Sequence, residues 1–152
     1  MPDAAPDPIA DFDLNAFLPY RLNAAAARVS RAFAERYRRE FGISIAEWRV
    51  LAHLHAAGTV SVRDIEARAA MEKSKVSRAA SRLEAAGYVS KAVNDADRRL
   101  VQLSLTREGR ALVARLLPVA IRFQAELRES LGPRAEALDA ALAVLLAPRR
   151  EG

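Results

Sequence analysis

The chain has 152 residues, no cysteine and a formal net charge of +5. Without cysteine it forms no disulfide, binds no metal through thiolates and senses no oxidant through a thiol. No apolar run in the sequence approaches the length of a membrane span, and the chain length suits one domain with a proper hydrophobic core.

The first segment, residues 1–17, is predicted to be a disordered leader. Its first thirteen residues contain four aspartates, three prolines and no basic residue, a composition typical of unfolded chain. The segment has neither the basic start nor the apolar centre of a signal peptide. We therefore expect a cytoplasmic protein.

A long helix is predicted over residues 19–41, with Gly42 at its end, where glycine is favoured. Residues at helical spacing give this helix an apolar side: Leu22, Ala25, Ala26, Val29, Phe33 and Tyr37. A second helix is predicted over residues 44–57, because Ser44 and Glu47 match a capping box. Trp48 in the second helix either belongs to the core or lines a ligand cavity.

Residues 62–69 and 72–86 are predicted to form a helix-turn-helix, with Ser61 capping the first of the two helices. The second helix buries an apolar stripe at helical spacing: Val76, Ala79, Ala80 and Leu83. Its opposite side presents hydroxyls and cations: Ser74, Lys75, Ser77, Arg78, Ser81 and Arg82. Such side chains suit base edges and phosphates in a major groove. The alternative is an ordinary solvated helix face.

A hairpin is predicted after Gly87, from strands over residues 88–93 and 100–105. In the second strand, apolar residues alternate with polar ones, as in a half-buried strand: Val101, Leu103 and Leu105. Residues 94–97 supply the turn. A hairpin that follows a helix-turn-helix is a wing, and between Ser61 and Arg110 eleven basic residues face seven acidic ones. The cations therefore concentrate where DNA would be gripped.

Two further helices are predicted, one from its cap Thr106 to Gly132 and one over residues 133–146. Pro118 is expected to bend the longer helix or interrupt its hydrogen bonding, since proline lacks the backbone N–H. Both helices have long apolar sides at helical spacing: Leu112, Leu116, Val119, Phe123, Leu127, Leu138, Leu142 and Leu145.

The predicted fold is mainly α with a small β-wing. The apolar faces of the terminal helices exceed what a winged helix needs to cover itself, and a dimer would bury them. We therefore divide the chain into a winged helix-turn-helix, residues 44–105, and a helical dimerisation region formed by residues 18–43 and 106–148.

Several segments, in this order and at these separations, resemble the MarR family of bacterial regulators: Ser74-Lys75-Val76-Ser77-Arg78, Arg82-Leu83-Glu84, Gly87-Tyr88-Val89, Asp97-Arg98-Arg99 and Leu103-Ser104-Leu105-Thr106-Arg107-Glu108-Gly109. The resemblance covers about residues 18–146, and its specific part is residues 61–109. One departure is Glu72, where serine or aspartate would cap the helix better.

The resemblance implies that residues of the second helix read the major groove: Ser74, Ser77, Arg78 and Arg82. It also implies that Lys73 and Lys75 lie near phosphates and that Arg99 of the wing enters the minor groove, next to Arg98. The Asp97 carboxylate can hold the Arg99 guanidinium extended before DNA arrives. The alternative is a surface ion pair of little value.

A ligand site is predicted beside the first helix. Arg21 lies with Tyr20 at the edge of the apolar side, where its guanidinium can receive the carboxylate of a small aromatic acid. Trp48 is a further candidate for this site. Relatives in the MarR family are similar in responding to phenolic or aromatic carboxylate compounds. The alternative is that Arg21 reaches solvent or pairs with an acid of the partner chain.

We therefore expect a homodimeric, sequence-specific DNA-binding repressor that a small aromatic acid or phenol releases from a near-palindromic operator. An enzyme is not expected, because the sequence has no Ser-His-Asp arrangement, no phosphate-binding glycine loop and no metal-ligand cluster. For the same reasons we expect no cofactor. The alternative is an effector-independent winged helix that acts in DNA architecture or protein contacts.

Overall fold

The computed structural model describes residues 7, 9–69, 71–93, 95–96 and 101–149. Over these ranges it contains six α-helices, one short 3-10 helix and a three-stranded antiparallel sheet. The chain divides into two compact units, Met1–Ile45 and Ala46–Gly152. No helix in the described ranges combines the length and the apolar character needed to cross a membrane.

The first unit contains a 3-10 helix, Leu14–Ala16, and helix α1, Leu18–Phe41. The carboxylate of Asp13 accepts a hydrogen bond from the backbone N–H of Asn15 at 2.9 Å. This turn lies within residues 1–17, for which a disordered leader stays a prediction. Helix α1 ends at Gly42, whose φ of +66° is the left-handed conformation that glycine adopts without strain.

Helix α1 buries few of its apolar residues. Tyr37 is 1% exposed, and its ring packs edge-on against Phe33 with the centroids 4.8 Å apart. Toward the N-terminus, large apolar side chains are exposed: Phe17, Leu18, Tyr20, Leu22 and Val29. Much of the predicted apolar side is therefore left uncovered in the single chain.

The remaining elements follow in chain order: α2 (Ile45–Ala57), β1 (Val60–Ser61), α3 (Val62–Ala69), α4 (Lys73–Ala85), β2 (Val89–Val93), β3 (Val101–Leu105), α5 (Arg107–Leu131) and α6 (Arg134–Leu146). The predicted helices and strands are confirmed, and their bounds agree to within about one residue. The mainly helical fold with a small wing is confirmed as well.

The sheet has the strand order β1-β3-β2. Strands β2 and β3 pair from Val89 with Leu105 to Val93 with Val101. The sequence analysis predicted no strand at β1, where Val60 pairs with Leu103. A two-residue strand is too short to show alternation, so only its pairing with β3 reveals it.

The core of the second unit lies under helix α4. Its predicted apolar stripe is confirmed, with four side chains at most 2% exposed: Val76, Ala79, Ala80 and Leu83. Ile65 of α3 and Leu103 of β3 are fully buried as well. The predicted alternation along β3 is weaker than expected, since Val101 and Leu105 are only half-buried.

Two predicted helix caps are confirmed. The Ser61 hydroxyl accepts a hydrogen bond from the Asp64 N–H at 3.1 Å, and the Thr106 hydroxyl accepts one from the Gly109 N–H at 3.0 Å. Helix α5 then continues through Pro118 to Leu131. Pro118 therefore costs the helix one backbone donor but does not end it.

The start of α5 is joined to the segment that follows α4. The Thr106 hydroxyl donates to the Gly87 carbonyl at 2.6 Å, and the Thr106 N–H donates to the Tyr88 carbonyl at 3.0 Å. A Cβ atom on Gly109 would overlap the same Tyr88 carbonyl and approach Leu105. The Thr-x-x-Gly motif therefore fixes the long helix against the base of the wing.

Candidate nucleic-acid interface

The outer face of α4 carries the side chains that the sequence predicts to contact DNA. The helix begins after Glu72, whose side chain makes no capping hydrogen bond, in keeping with its residue type. Four predicted residues line one shallow depression of about 340 Å³: Ser77, Arg78, Ser81 and Arg82. Three more are exposed in the first turn of the helix: Lys73, Ser74 and Lys75.

Arg82 is held by a residue outside the helix-turn-helix. Its Nε atom lies 3.2 Å from Oε1 of Glu47 on α2. The Glu47 side chain is 14% exposed, whereas that of Arg82 is 59% exposed. From the sequence Glu47 is predicted only to form a capping box, because nothing in the local pattern of α2 reveals a partner on α4.

Ser81 is held by the wing. The Nζ atom of Lys91 on β2 donates to the Ser81 hydroxyl at 2.9 Å and lies 4.0 Å from Oε1 of Glu84. Lys91 was not among the predicted site residues. In the sequence Lys91 resembles any strand lysine, and only the packing of β2 against α4 brings its half-buried side chain to Ser81.

A cavity of about 780 Å³ lies between α3, α4 and the sheet. Its lining includes cations, acids, hydroxyls and a thioether, among them Arg63, Glu66, Met71, Lys73, Ser77 and Lys91. Small-molecule sites typically have volumes of about 300–1,000 Å³. The sequence analysis did not predict this cavity, whose walls come from separate elements.

Comparison with known proteins finds MarR-family relatives. The sequence model of the MarR family matches residues 41–100, which include α2, α3, α4 and β2. A crystal structure of a MarR family transcriptional regulator from Silicibacter pomeroyi is 29% identical, with a TM-score of 0.73, and the match covers 94% of this chain and 97% of that one. The matched segment, residues 41–100, is MarR-like sequence. The resemblance that its motifs predict is thereby confirmed.

Two further relatives of this chain have names that bear on function. Over 68 residues the chain is 38% identical to the HTH-type transcriptional repressor MdtR of Bacillus subtilis (strain 168). That stretch is 45% of this chain and only 44% of the repressor. BpsR of Bordetella bronchiseptica is 24% identical, with a TM-score of 0.75 over 91% of this chain and 99% of its own. The BpsR structure concerns regulation of its DNA binding by 6-hydroxynicotinic acid.

The predicted wing tip, Asp97, Arg98 and Arg99, lies outside the described residues. The strands on either side of it are placed, since Val93 pairs with Val101. The minor-groove role of Arg99 and the supporting role of Asp97 therefore stay predictions.

The predicted effector residues are found in both compact units. Tyr20 and Arg21 of α1 are exposed in the single chain, Tyr20 to 44%. Trp48 of α2 is half-buried and does not line the cavity between α3, α4 and the sheet. Across the described ranges, no three metal-ligating side chains come together.

Proposed function

We propose that this protein is a homodimeric transcriptional repressor that binds a specific DNA sequence and has no enzymatic role. The observation that supports it most is the exposed serine and arginine face of α4 within a MarR-family winged helix. Hydroxyls and guanidinium groups on a recognition helix suit the base edges of a major groove. Because its target is chromosomal DNA, such a repressor works in the cytoplasm, on the nucleoid.

The proposed dimer rests on apolar surface that the single chain leaves exposed. In α6, Leu145 is 62% exposed and Leu146 is 80% exposed, and in α1 Leu18 is 65% exposed. Burial of such side chains against a second copy would stabilise each by about 1.5–3 kcal/mol. A two-fold dimer presents two recognition helices about one helical turn or a multiple apart, so the operator is a near-palindrome.

The test of DNA recognition starts from footprinting on the promoter beside the protein's own gene. On the protected fragment, Arg78→Ala is expected to weaken binding by roughly 1–3 kcal/mol and to relax the base preference at one position. Lys75→Ala is expected to weaken binding to operator and random duplex alike and to reduce the salt slope by about 1. Fluorescence anisotropy on single-base operator variants at several salt concentrations measures both.

A matched control is Arg134→Ala at the exposed start of α6, which removes an arginine remote from the reading face and should leave both quantities unchanged. If the protein protects no site and binds random duplex as well as its own promoter, the sequence-specific repressor is wrong. An architectural DNA-binding role would then be favoured.

We further propose that a small aromatic acid or phenol releases the repressor. The regulation of BpsR by 6-hydroxynicotinic acid supports this class of effector. To shift the population from mostly bound to mostly released, the effector must favour the released form by about 5 kcal/mol. Two sites compete: Arg21, with Tyr20 and Trp48 as the predicted companions, and the cavity between α3, α4 and the sheet. An effector in the cavity would contact Lys73 and Ser77, two predicted DNA contacts.

One variant at each candidate effector site tells the two sites apart, with 6-hydroxynicotinic acid and salicylic acid as probes. Arg21→Ala is expected to bind operator normally and to require at least about tenfold more acid for release, since the carboxylate loses a bidentate partner. Ala67→Phe, which narrows the cavity, should respond as the parent does. The reverse pattern would move the effector from Arg21 to the cavity. If neither acid releases the parent protein, this class of effector is excluded.

A further inference from the structure

We propose that Glu47 on α2 is a positioning residue for operator recognition, acting through Arg82. Glu47 need not touch DNA for this role. Its carboxylate orients the Arg82 guanidinium and offsets part of its charge, and the result is a higher ratio of operator affinity to random-DNA affinity. The inference rests on the proposed DNA-binding function and names a determinant of its specificity.

The ion pair with Glu47 leaves the two outer nitrogens of the Arg82 guanidinium available to DNA. Glu47 approaches the Nε atom, at 3.2 Å, and Nε is the inner nitrogen of the guanidinium. The two outer Nη nitrogens carry the donors that pair with guanine or phosphate oxygens. Since Arg82 remains 59% exposed, the contact with Glu47 anchors the guanidinium without covering it.

The position of Glu47 is itself well fixed. The Glu47 side chain is only 14% exposed, so solvent screens the pair less than it screens a surface pair. The helix that carries Glu47 buries Val50, Leu51 and Leu54 almost completely. An arginine held from such a base loses less conformational entropy when it meets DNA than a free one does.

Arg82 does not act in isolation on this face. The hydroxyl of its neighbour Ser81 accepts a hydrogen bond from Lys91. Ser81 and Arg82 both line the depression, together with Ser77 and Arg78. Arg78 contributes to the depression from an exposed position. Two adjacent donors of the reading face are therefore oriented by elements on either side of α4, one by α2 and one by the wing.

The charge of Glu47 has a second effect. Sequence-independent binding depends on cations that neutralise phosphates. A carboxylate beside Arg82 reduces that long-range attraction while it leaves the directional hydrogen bonds of the Nη atoms. The affinity for random DNA therefore falls more than the affinity for the operator. Weaker binding to competing sites is one route to specificity.

The experiment compares operator with random duplex of the same length, using the full chain and Glu47→Gln. Glutamine keeps the predicted capping box with Ser44 and removes only the charge. The ratio of the two dissociation constants is expected to fall about three- to tenfold, the size of an ordinary coupling between contacting residues. The salt slope for random duplex is expected to steepen by up to about 1. An unchanged ratio would overturn the proposal.

A double-variant cycle separates positioning from a merely structural role. In the Arg82→Ala background, Glu47→Gln is expected to change the ratio no further, because its effect passes through Arg82. An equal loss in both backgrounds would assign Glu47 to packing or capping instead. The control Ser44→Ala removes the predicted capping hydroxyl and should lower the unfolding midpoint while the ratio stays unchanged.

Two more outcomes are distinguishable. If the parent protein itself fails to prefer operator over random duplex, the proposed function is wrong and the positioning role with it. If Glu47→Gln does not fold, Arg82→Lys replaces it. Lysine keeps the charge but has no Nε–H to be held and no fork, so the ratio should fall by a similar factor. If Arg82→Lys keeps the parent protein's ratio of operator affinity to random-DNA affinity, the proposal is contradicted.

Discussion

A double variant, Leu145→Asp with Leu146→Asp, is expected to be monomeric at micromolar concentration and to lose operator binding by at least about 100-fold. In the single chain these leucines are 62% and 80% exposed, and the proposed dimer buries them. Each substitution occurs twice across a two-fold interface, so several kcal/mol of apolar burial is lost and four carboxylates are introduced. Sedimentation velocity measures the mass, and fluorescence anisotropy measures the operator affinity.

The matched control for this variant is Ala140→Asp, which adds a carboxylate to the same helix on the side away from Leu145. The α5–α6 pair should survive in both proteins, because Arg128 of α5 and Asp139 of α6 form an ion pair and Ala135 is buried near the start of α6. Circular dichroism checks that the helices persist. A double variant that sediments as a dimer would contradict an interface built on α6.

Gly109→Ala is expected to destabilise the fold by roughly 2–4 kcal/mol, as overpacking against backbone does. A Cβ atom at this position overlaps the Tyr88 carbonyl oxygen. That carbonyl also accepts the Thr106 N–H, so it cannot withdraw without loss of a hydrogen bond. Urea unfolding followed by circular dichroism gives the free energy of unfolding for parent and variant.

Glu108→Ala is the control, because Glu108 is the exposed neighbour of Gly109 in the same turn of α5. It removes a favourable carboxylate from the helix N-terminus and should cost under about 1 kcal/mol. The larger cost at Gly109 should also appear as a lower unfolding temperature, by about 2–4 °C for each kcal/mol. Equal stability of the two variants would mean that the contact between α5 and Tyr88 is not required.

The features that the sequence predicted well are local. The buried stripe of α4 follows from helical spacing alone, and the caps at Ser61 and Thr106 involve partners three residues away. Gly42 and Gly87 mark helix ends through conformations open to glycine. Such signals depend on neighbouring residues, so they survive without knowledge of the tertiary structure.

The features that the sequence did not predict depend on separate elements meeting. Glu47 contacts Arg82 from another helix, Lys91 contacts Ser81 from a strand, and β1 exists only because β3 lies beside it. The cavity between α3, α4 and the sheet has the same origin. Hydrophobic periodicity tells which side of an element faces inward, but it does not tell which polar side chains then become neighbours.

The length of helix α5 bears on how such a protein would change between its DNA-bound and released forms. Its 25 residues, with Pro118 among them, form one helix about 37 Å long, and its N-cap Thr106 is hydrogen-bonded to Gly87 and Tyr88. Where the helix moves as one body, displacement of its distal end rotates its start. A tilt of α5 would therefore swing β2 and, through the bond from Lys91, the reading face of α4 with it.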